Sequence, residues 1–531
     1  MLRLTWVQPE DLLPHEIRQA RQDGREPLVI ERRWHAAGGR EAPARAGASP
    51  TRASRYLRQL AEDLLDELAD LPSDLRDDEP TDLARIKALC PAWPAHPAIT
   101  AAPHPPGGPA DGPAATVRPA RPSDSPAGPT RPGRPSAGRT VGAAGIPPGG
   151  AEPGPGSWES AGTDGASAVR AADPRVRPVP PSGAFEAAWV GRAVGCLLGK
   201  PVEKLPLDGI RRLARSTGNW PLSAYFTARG VPEELTAAYP WNRRSAPTSL
   251  AENIDGMPED DDLNYPLLGL LLLQRHGRAF TTTDVARLWL DELPAGRAFT
   301  AERVAYRNLL SGVEPPRTAR HRNPFREWIG ALIRADVHGW TNPGDPAAAA
   351  EQAHRDAVLT HTANGVYAAM FTAAVIAAAA TGTHDVHACL ATGRTVVPPR
   401  SRLARAVDEA MRLAHAHEDF DDVVDALHAV HSPTYHWVHA IPNTALIAAA
   451  LTHADGDFTR SVCRAVSGGW DTDSNGATAG SVSGLLAGTP TALPDRWTAP
   501  LKNRLATSVA DFHGTGFDSL ARLTRLEATR P

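Results

Sequence analysis

Residues 468–480 decide how this chain must fold, and they read Gly468-Gly469-Trp470-Asp471-Thr472-Asp473-Ser474-Asn475-Gly476-Ala477-Thr478-Ala479-Gly480. Two carboxylates, Asp471 and Asp473, stand two residues apart behind a pair of glycines. These carboxylates converge most easily where a tight loop enters a helix. Oxygen ligands at this spacing suit Mg²⁺ or Ca²⁺ rather than a soft metal. The stretch therefore predicts a hard-cation site at the start of a helix.

The segment that follows the two carboxylates carries a glycine at every fourth position. Residues four apart share one face of a helix. Each glycine costs a helix about 1 kcal/mol, so a glycine face is tolerable only where another backbone comes close. A second series has the same spacing, and we predict that the two helices pack by these faces. The two series are Gly476, Gly480, Gly484 and Gly488, and Gly191, Gly195 and Gly199. Hydroxyls at Thr478, Ser481 and Ser483 and the neighbouring acidic loop argue against the alternative of a dimerising membrane helix.

A calcium-binding EF-hand is a competing interpretation, because Asp471, Asp473, Asn475 and Gly476 fit the opening of its loop. That loop needs a bidentate glutamate at its twelfth position. The twelfth position here is Val482. The EF-hand interpretation therefore fails at its most demanding ligand.

The bulk composition narrows the functional class of this 531-residue chain. Its net charge is −4, which does not indicate a nucleic-acid partner or an anionic membrane surface. The four cysteines are scattered and read as buried thiols in a reducing compartment. The beginning of the chain lacks the apolar region of a signal peptide, and the longest apolar runs, residues 267–273 and 368–380, are too short to span a bilayer. We therefore expect a cytoplasmic protein.

The composition changes twice along the chain and predicts three parts. Residues 1–95 read as a small helical docking or dimerisation unit, with an amphipathic helix around residues 57–71 and a second helix from Thr81 to just before Pro91. Residues 96–180 are rich in Pro, Gly and Ala and predict a disordered linker. Residues 181–531 alternate Ala/Leu-rich segments with short loops. They predict an all-α domain, a compact orthogonal helical bundle.

A second acidic cluster precedes the apolar run that starts at Leu267. Four consecutive carboxylates, residues 259–262, repel one another, and a bound cation would relieve that repulsion. Their position directly before an apolar run places them at a helix start rather than in a free tail. Together with Asp471 and Asp473, they supply enough oxygen ligands for two metal ions.

The signature Gly-Gly-x-Asp-Thr-Asp-Ser-Asn, followed by a glycine-stepped helix, resembles that of the ADP-ribosylglycohydrolases, which include the dinitrogen-reductase-activating glycohydrolase. The resemblance extends over residues 184–500. It implies that family's helical fold and hydrolysis of the bond between ADP-ribose and a protein side chain or small acceptor. An ADP-ribosylated protein or an ADP-ribose derivative is then the expected partner. The resemblance leaves the linked group and the oligomeric state open.

Two motifs depart from the family pattern. Gly-Asp-Ala-x-Gly-x-x-x-Glu is matched at Gly195, Gly199 and Glu203, but Cys196 stands where the family has Asp. The family's Thr-Asp-Asp-Thr becomes residues 260–263, in which the paired carboxylates remain and both threonines are replaced, by Asp260 and Leu263. The additional negative charge is expected to change the affinity for the metal or the choice of metal.

The resemblance also implies roles for individual residues. Two Mg²⁺ ions, or Mn²⁺, are expected on Asp260, Asp261, Asp262, Asp471, Asp473 and Ser474. The catalytic base is expected to be Glu203 or Asp473. Substrate contacts are expected from Gly330, Arg334, His361, Gly469 and Asn475. Arg334 would bind the pyrophosphate or, alternatively, cap a helix end, and His361 would be a site residue or a structural one. His436 and His439 read instead as one face of a helix packed in the core.

Three functional hypotheses follow. The first is a Mg²⁺-dependent ADP-ribosyl glycohydrolase with a binuclear metal site. The second is a catalytically weak protein that binds ADP-ribose or a nucleotide, which the departures at Cys196, Asp260 and Leu263 favour. The third is an interaction protein whose acidic loops hold only a stabilising cation.

Overall fold

The computed structural model describes residues 5–42, 52–96 and 179–530. Within these ranges the protein is helical, and its only β-structure is two isolated bridges, Met257 with Leu505 and Trp328 with His439. The all-α prediction is thus confirmed. The linker predicted for residues 96–180 lies, apart from its two ends, outside the described residues. Across the described ranges no helix is both long and apolar enough to cross a membrane.

The described residues up to 96 form four helices, which are α1 (Pro9–Gln22), α2 (Leu28–Ala36), α3 (Arg55–Ala69) and α4 (Leu83–Leu89). The two helices predicted here correspond to α3 and α4, and Asp82 caps α4. Helices α1 and α2 were not predicted. Helix α1 buries Glu10, Asp11 and Glu16 as well as its leucines. Its buried face is therefore not uniformly apolar, and the sequence shows no clear helical repeat of apolar residues there.

The rest of the described chain contributes eighteen further α-helices. They are α5 (Ser182–Gly199), α6 (Leu207–Ser216), α7 (Glu233–Ala238), α8 (Ala246–Ser249), α9 (Asp261–His276), α10 (Thr282–Glu292), α11 (Thr300–Leu310), α12 (Asp336–Trp340), α13 (Pro346–Ala357), α14 (Ala363–Ala379), α15 (Val386–Arg394), α16 (Arg402–Ala416), α17 (Phe420–His431), α18 (Ala440–Ala454), α19 (Phe458–Ser467), α20 (Thr472–Ala487), α21 (Asp495–Thr498) and α22 (Phe517–Thr529). Short 3₁₀ turns lie between them, at Ala295–Arg297, Arg317–Ala319, Ile329–Arg334, Pro490–Ala492 and Ala499–Leu501.

Helix α14 lies at the centre of the main core, because every one of its residues is buried. A helix that is apolar on all sides must be surrounded by other helices. The apolar runs at residues 267–273 and 368–380 are indeed almost wholly buried, in α9 and α14. All four cysteines are buried free thiols.

The glycine faces of α5 and α20 pack directly on each other, as predicted. A Cβ atom on Gly195 would lie 1.9 Å from the carbonyl oxygen of Gly476, and one on Gly480 would lie 2.0 Å from that of Gly191. Real side chains essentially never come so close, so the two backbones touch where glycine permits it. The contact continues to the helix ends, where the Thr472 hydroxyl donates to the Gly199 carbonyl over 2.8 Å.

Two local interpretations can now be decided. Helix α20 begins at Thr472, so residues 471–482 cannot form a calcium loop, and the EF-hand is excluded. The prediction that His436 and His439 share a helix face was wrong. Both are buried, but they lie in the turn before α18, where His439 is the N-cap residue. At His439 itself the backbone is extended and forms the bridge with Trp328.

The N-terminal helices share a core with the rest of the described chain. Leucines of α1 and α3 pack with Phe325, Trp328 and Val438 in one apolar cluster. A buried ion-pair network reinforces it, since the Arg326 guanidinium meets Glu16 at 2.7 Å and Asp23 at 2.8 Å. The segments before and after the linker therefore form one compact unit.

We expect Gly195→Ala to destabilise the protein by at least about 1–3 kcal/mol, the usual cost of overpacking, because the new methyl group meets a backbone carbonyl. Thermal unfolding of the full chain measures the effect. Gly183→Ala on the same helix is the matched control, because its Cβ would have 3.8 Å of clearance. That change should be neutral or stabilising by up to about 1 kcal/mol. Equal melting temperatures for the two variants would contradict the close contact.

Glu16→Gln is expected to cost about 3 kcal/mol, because it removes the charge that pairs with buried Arg326 and Arg25. Denaturant unfolding gives the number. Glu31→Gln serves as the comparison, since its partner Arg21 is half exposed and such pairs are worth at most about 1 kcal/mol. A loss from Glu16→Gln no greater than that from Glu31→Gln would show that the network does not hold α1 in place.

Candidate metal centre

Two helix N-termini meet at the centre of the candidate site. Asp260 is the N-cap residue of α9, and its carboxylate accepts from the Asp262 amide over 3.0 Å. Asp471 stands directly before α20, and the Ser474 hydroxyl of α20 reaches the Asp262 carboxylate of α9 at 3.3 Å. The free amides of a helix N-terminus favour negative charge. Both acidic clusters found in the sequence therefore sit where the backbone stabilises them.

A strained turn directs the chain into α20. Gly469 and Trp470 both adopt left-handed backbone angles, with φ of 79° and 57°. This conformation is costly for a bulky residue and persists only when the surroundings hold it. The Trp470 indole stacks on the His428 ring at 4.1 Å, and His428 hydrogen-bonds to the Gly468 carbonyl over 2.8 Å. The turn is therefore fixed from outside the site.

Gly469 in this turn and Asn475 in the first turn of α20, two of the expected substrate contacts, do not line the cavity. The Asn443 side-chain oxygen accepts from the Asp471 amide over 3.1 Å and from the Asn475 amide group over 2.7 Å. A Cβ on Gly469 would face Ile210 rather than the carboxylates. Both residues shape the loop that carries Asp471.

The first group of possible metal ligands consists of Glu203, Asp471 and Asp473. One carboxylate oxygen from each lies within 4.8 Å of the other two. Glu203 stands in the turn after α5, where it accepts from the Asn242 amide over 2.6 Å and pairs with Lys204 at 2.6 Å. Burial, together with the charges of Glu203 and Asp260, raises the pKa of Asp473 to about 7. Burial and Asp473 hold the pKa of Asp471 well above its ordinary value. A hard divalent cation would relieve this repulsion, so the group fits one.

The second group consists of Cys196, Asp260 and Asp262. Here cations of the protein are already in place. The Lys200 ammonium pairs with Asp260, and the Arg192 guanidinium pairs with Asp262 at 3.2 Å. Asp261 lies between the groups, and burial with the charge of Asp260 raises its pKa well above the ordinary value.

A cavity of about 300 Å³ opens over these carboxylates. Aromatic side chains line its walls, from Trp328, Trp437, Phe299 and Trp6. Trp6 comes from the N-terminal segment and meets Phe299 edge to face at 5.9 Å. The Arg303 guanidinium lies 5.2 Å from the ring centre of Trp6. Nothing in the sequence indicated Trp6, because a single tryptophan far from any motif carries no pattern.

Gly330 lines the cavity, as expected for a residue close to the substrate. A Cβ at this position would lie 2.0 Å from the carboxylate of Glu302, another lining residue. Glycine is needed here so that Glu302 can reach the cavity. No motif in the sequence pointed to Glu302, because it lies on an ordinary amphipathic helix, α11.

Arg334 and His361 lie behind the cavity wall instead of on it. Arg334 donates to Glu302 over 2.9 Å and to Asp356 over 2.7 Å, and it is buried. The His361 ring approaches the Thr360 hydroxyl at 2.6 Å, and Thr360 accepts from Arg334 over 2.7 Å. Burial and the charge of Arg334 lower the pKa of His361 well below its ordinary value, so the ring is neutral. The network thus fixes Glu302.

A family model described as ADP-ribosylglycohydrolase matches residues 181–530. A solved structure described as an ADP-ribosylglycohydrolase-related protein complex is 19% identical to the chain, with a TM-score of 0.42. That alignment covers 66% of this chain and 98% of the other. No curated protein matches the chain.

Replacing Asp473 by Asn is expected to stabilise the metal-free protein at pH 8 by about 2–4 kcal/mol. The pKa of Asp473 is near 7 in the folded state and near 4 when unfolded, so its charge opposes folding above pH 7. The gain should shrink as the pH falls and vanish near pH 4, where the carboxyl is protonated in both states. Urea unfolding in EDTA measures it.

Glu259→Gln provides the contrast, because the Glu259 carboxylate pairs with Arg297 at 2.5 Å and accepts from the Ser508 amide over 2.9 Å. This variant should lose stability under the same conditions. A metal-free Asp473→Asn protein less stable than its parent at pH 8 would contradict the repulsion described here.

Proposed function

Since the chain belongs to the ADP-ribosylglycohydrolase family, we propose that it hydrolyses the glycosidic bond between ADP-ribose and a protein side chain or small acceptor in a Mg²⁺-dependent reaction. The observation that carries this proposal is the 300 Å³ cavity with a carboxylate floor and aromatic walls. Hard oxygen ligands below and flat apolar surfaces above suit a ligand that combines ribose hydroxyls with a base.

Glu203, Asp471 and Asp473 are the residues that would hold the cation. A bound Mg²⁺ or Mn²⁺ would supply the positive charge that orients the ribose hydroxyls and the attacking water. The set is all oxygen, which matches the preference of these ions. Helix α20 fixes Asp473, and the Asn242 amide fixes Glu203, so two of the three ligands are held before any ion binds.

Asp473 is the better candidate for the base of the two that the sequence indicated. Both oxygens of Glu203 already have partners, in Lys204 and Asn242. We assign proton removal from water to Asp473 and the orientation of its neighbours to Glu203.

The remaining charges of the cavity favour cleavage of a glycosidic bond. Positive charge develops on the ribose in the transition state, and nearby carboxylates stabilise it. Asp261 and Glu302 both line the cavity, and Arg334 holds Glu302. Within this proposal Gly330 lets the substrate and Glu302 meet. Ser474 holds Asp262 in place, and Arg334 and His361 act as positioning residues.

A second candidate function is binding of ADP-ribose without turnover. It is favoured by the second group of side chains, where Cys196 and Lys200 stand beside Asp260. A site whose cations come from the protein itself could hold a phosphate-bearing ligand while lacking the reactivity of a metal site. The experiment below separates the two candidates.

We expect the full-length protein to release ADP-ribose from a mixed ADP-ribosylated protein substrate in Mg²⁺, and to stop in EDTA. Asp473→Asn should lower the rate by about 10²–10⁴-fold, the usual effect of losing a general base. Release is followed by chromatography of free ADP-ribose. The full chain is used because the N-terminal helices share its core.

Asp425→Asn is the matched control, since this carboxylate is largely exposed on α17, where it pairs with Arg211. It should keep the parent rate. Calorimetric binding of ADP-ribose without release would select the second candidate function. Release that continues unchanged in EDTA would contradict the role given to the cation.

A further inference from the structure

Lys200 brings a positive charge of the protein into the metal centre. It follows Gly199, the last residue of α5, and its side chain is buried. Its ammonium pairs with the Asp260 carboxylate and donates to the Glu259 carbonyl over 3.3 Å. Lys200 also lines the cavity. A buried lysine is rare unless it is paired, and this one is paired inside the candidate site.

The sequence departures from the family pattern come together at this ammonium. Asp260 replaces a threonine and Cys196 replaces an aspartate, and the two lie in one group with Asp262. Burial raises the pKa of the Cys196 thiol, so it stays neutral and is a poor ligand for a hard cation. Burial alone would lower the pKa of Lys200, but the charge of Asp260 raises it above its ordinary value. The lysine therefore stays charged.

The second group has few oxygen lone pairs left for a metal ion. One Asp260 oxygen accepts from the Asp262 amide and the other from Lys200. One Asp262 oxygen accepts from Arg192, and the other from Ser474, with the Cys196 sulfur 3.9 Å away. In the first group, the Asn242 amide and Lys204 occupy the Glu203 oxygens, and the Ser474 amide donates to one Asp473 oxygen. However, no Lys or Arg of the described residues forms an ion pair with Asp471 or Asp473, unlike Asp260 and Asp262. The two halves of the centre thus differ in what they can still bind.

We propose that the Lys200 ammonium takes the place of one of the two divalent cations, so that this chain binds a single divalent cation at Glu203, Asp471 and Asp473. The inference rests on the proposed function only in taking a divalent cation as the natural occupant of the first group. The ammonium supplies a fixed charge that a chelator cannot remove. It also offers a hydrogen-bond donor to a ribose hydroxyl where a second ion would offer a coordination site.

A different arrangement would place two ions in the centre and leave Lys200 only to neutralise Asp260. The two arrangements differ in a countable quantity, the number of ions per chain. They also differ in what happens when the pair is replaced. Lys200→Met combined with Asp260→Thr removes both charges together and restores the threonine of the family pattern, so the net charge of the centre is unchanged.

The experiment counts Mn²⁺ bound to full-length protein by calorimetry and by electron paramagnetic resonance, without substrate. We expect one ion per chain for the parent. We expect two for the Lys200→Met/Asp260→Thr variant, with the spin coupling that neighbouring Mn²⁺ ions show. Lys502→Met is the control, because this lysine pairs with Asp255, is 58% exposed and lies outside both groups. It should still bind one ion, and thermal unfolding establishes that each variant is folded.

Two ions in the parent would overturn the inference while leaving the proposed hydrolase intact. One ion in both the parent and a folded double variant would overturn the role of Lys200 in excluding the second ion. No ion in the parent would instead remove the basis of the proposed metal dependence. The count therefore separates failure of this inference from failure of the proposed function.

Discussion

The direct backbone contact between α5 and α20 is the constraint on which the rest of the structure depends. Helices with ordinary side chains at their interface stand about 8–10 Å apart. Here the Gly195 and Gly476 backbones touch, and at the next turn Gly199 meets Thr472. This approach brings the C-terminal end of one helix beside the N-terminal end of the other. Lys200 and Glu203 leave α5 at the point where Asp471 and Asp473 enter α20. Larger residues on the glycine faces of α5 and α20 would push the two helices apart and separate Glu203 from Asp471 and Asp473.

The same contact creates an electrostatic problem that the surrounding residues partly solve. Six carboxylates gather around the cavity, those of Glu203, Asp260, Asp261, Asp262, Asp471 and Asp473. Burial raises the pKa of four of them, Asp261, Asp262, Asp471 and Asp473. The N-termini of α9 and α20 favour some of this charge. Lys200 neutralises Asp260, while Arg192 is shared between Asp262 and Asp336. What remains unbalanced is concentrated on Asp261, Asp471 and Asp473. The imbalance lies on the side of the centre that still has free oxygens, which is where a cation gains most by binding.

The sequence predicted the parts of this structure whose cause is local. Glycines four residues apart and carboxylates at a helix start act through neighbours on the same helix, so their spacing revealed α5, α9 and α20. Residues whose role depends on distant partners could not be inferred in this way. Arg334 matched a motif, but its partners Glu302 and Asp356 lie 32 and 22 residues away and turn it away from the cavity. The role of Lys200 likewise depends on Asp260, which lies 60 residues further along the chain.

The N-terminal helices are best understood through the aromatic wall of the cavity. Trp328 lines the cavity on one side, and on the other it stacks on His436 at 4.5 Å and meets the His15 ring of α1 at 5.8 Å. The two residues directly before Trp328 are also held by ion pairs. Arg326 pairs with Glu16 of α1, and Glu327 pairs with Arg402, which also pairs with Glu79. Trp6 lines the cavity as well, next to Phe299. All these N-terminal residues lie outside the family match at residues 181–530. Trp6 is therefore part of the wall above the carboxylates, and His15, Glu16 and Glu79 support that wall from behind. Changes at these four residues would alter the cavity without touching any metal ligand.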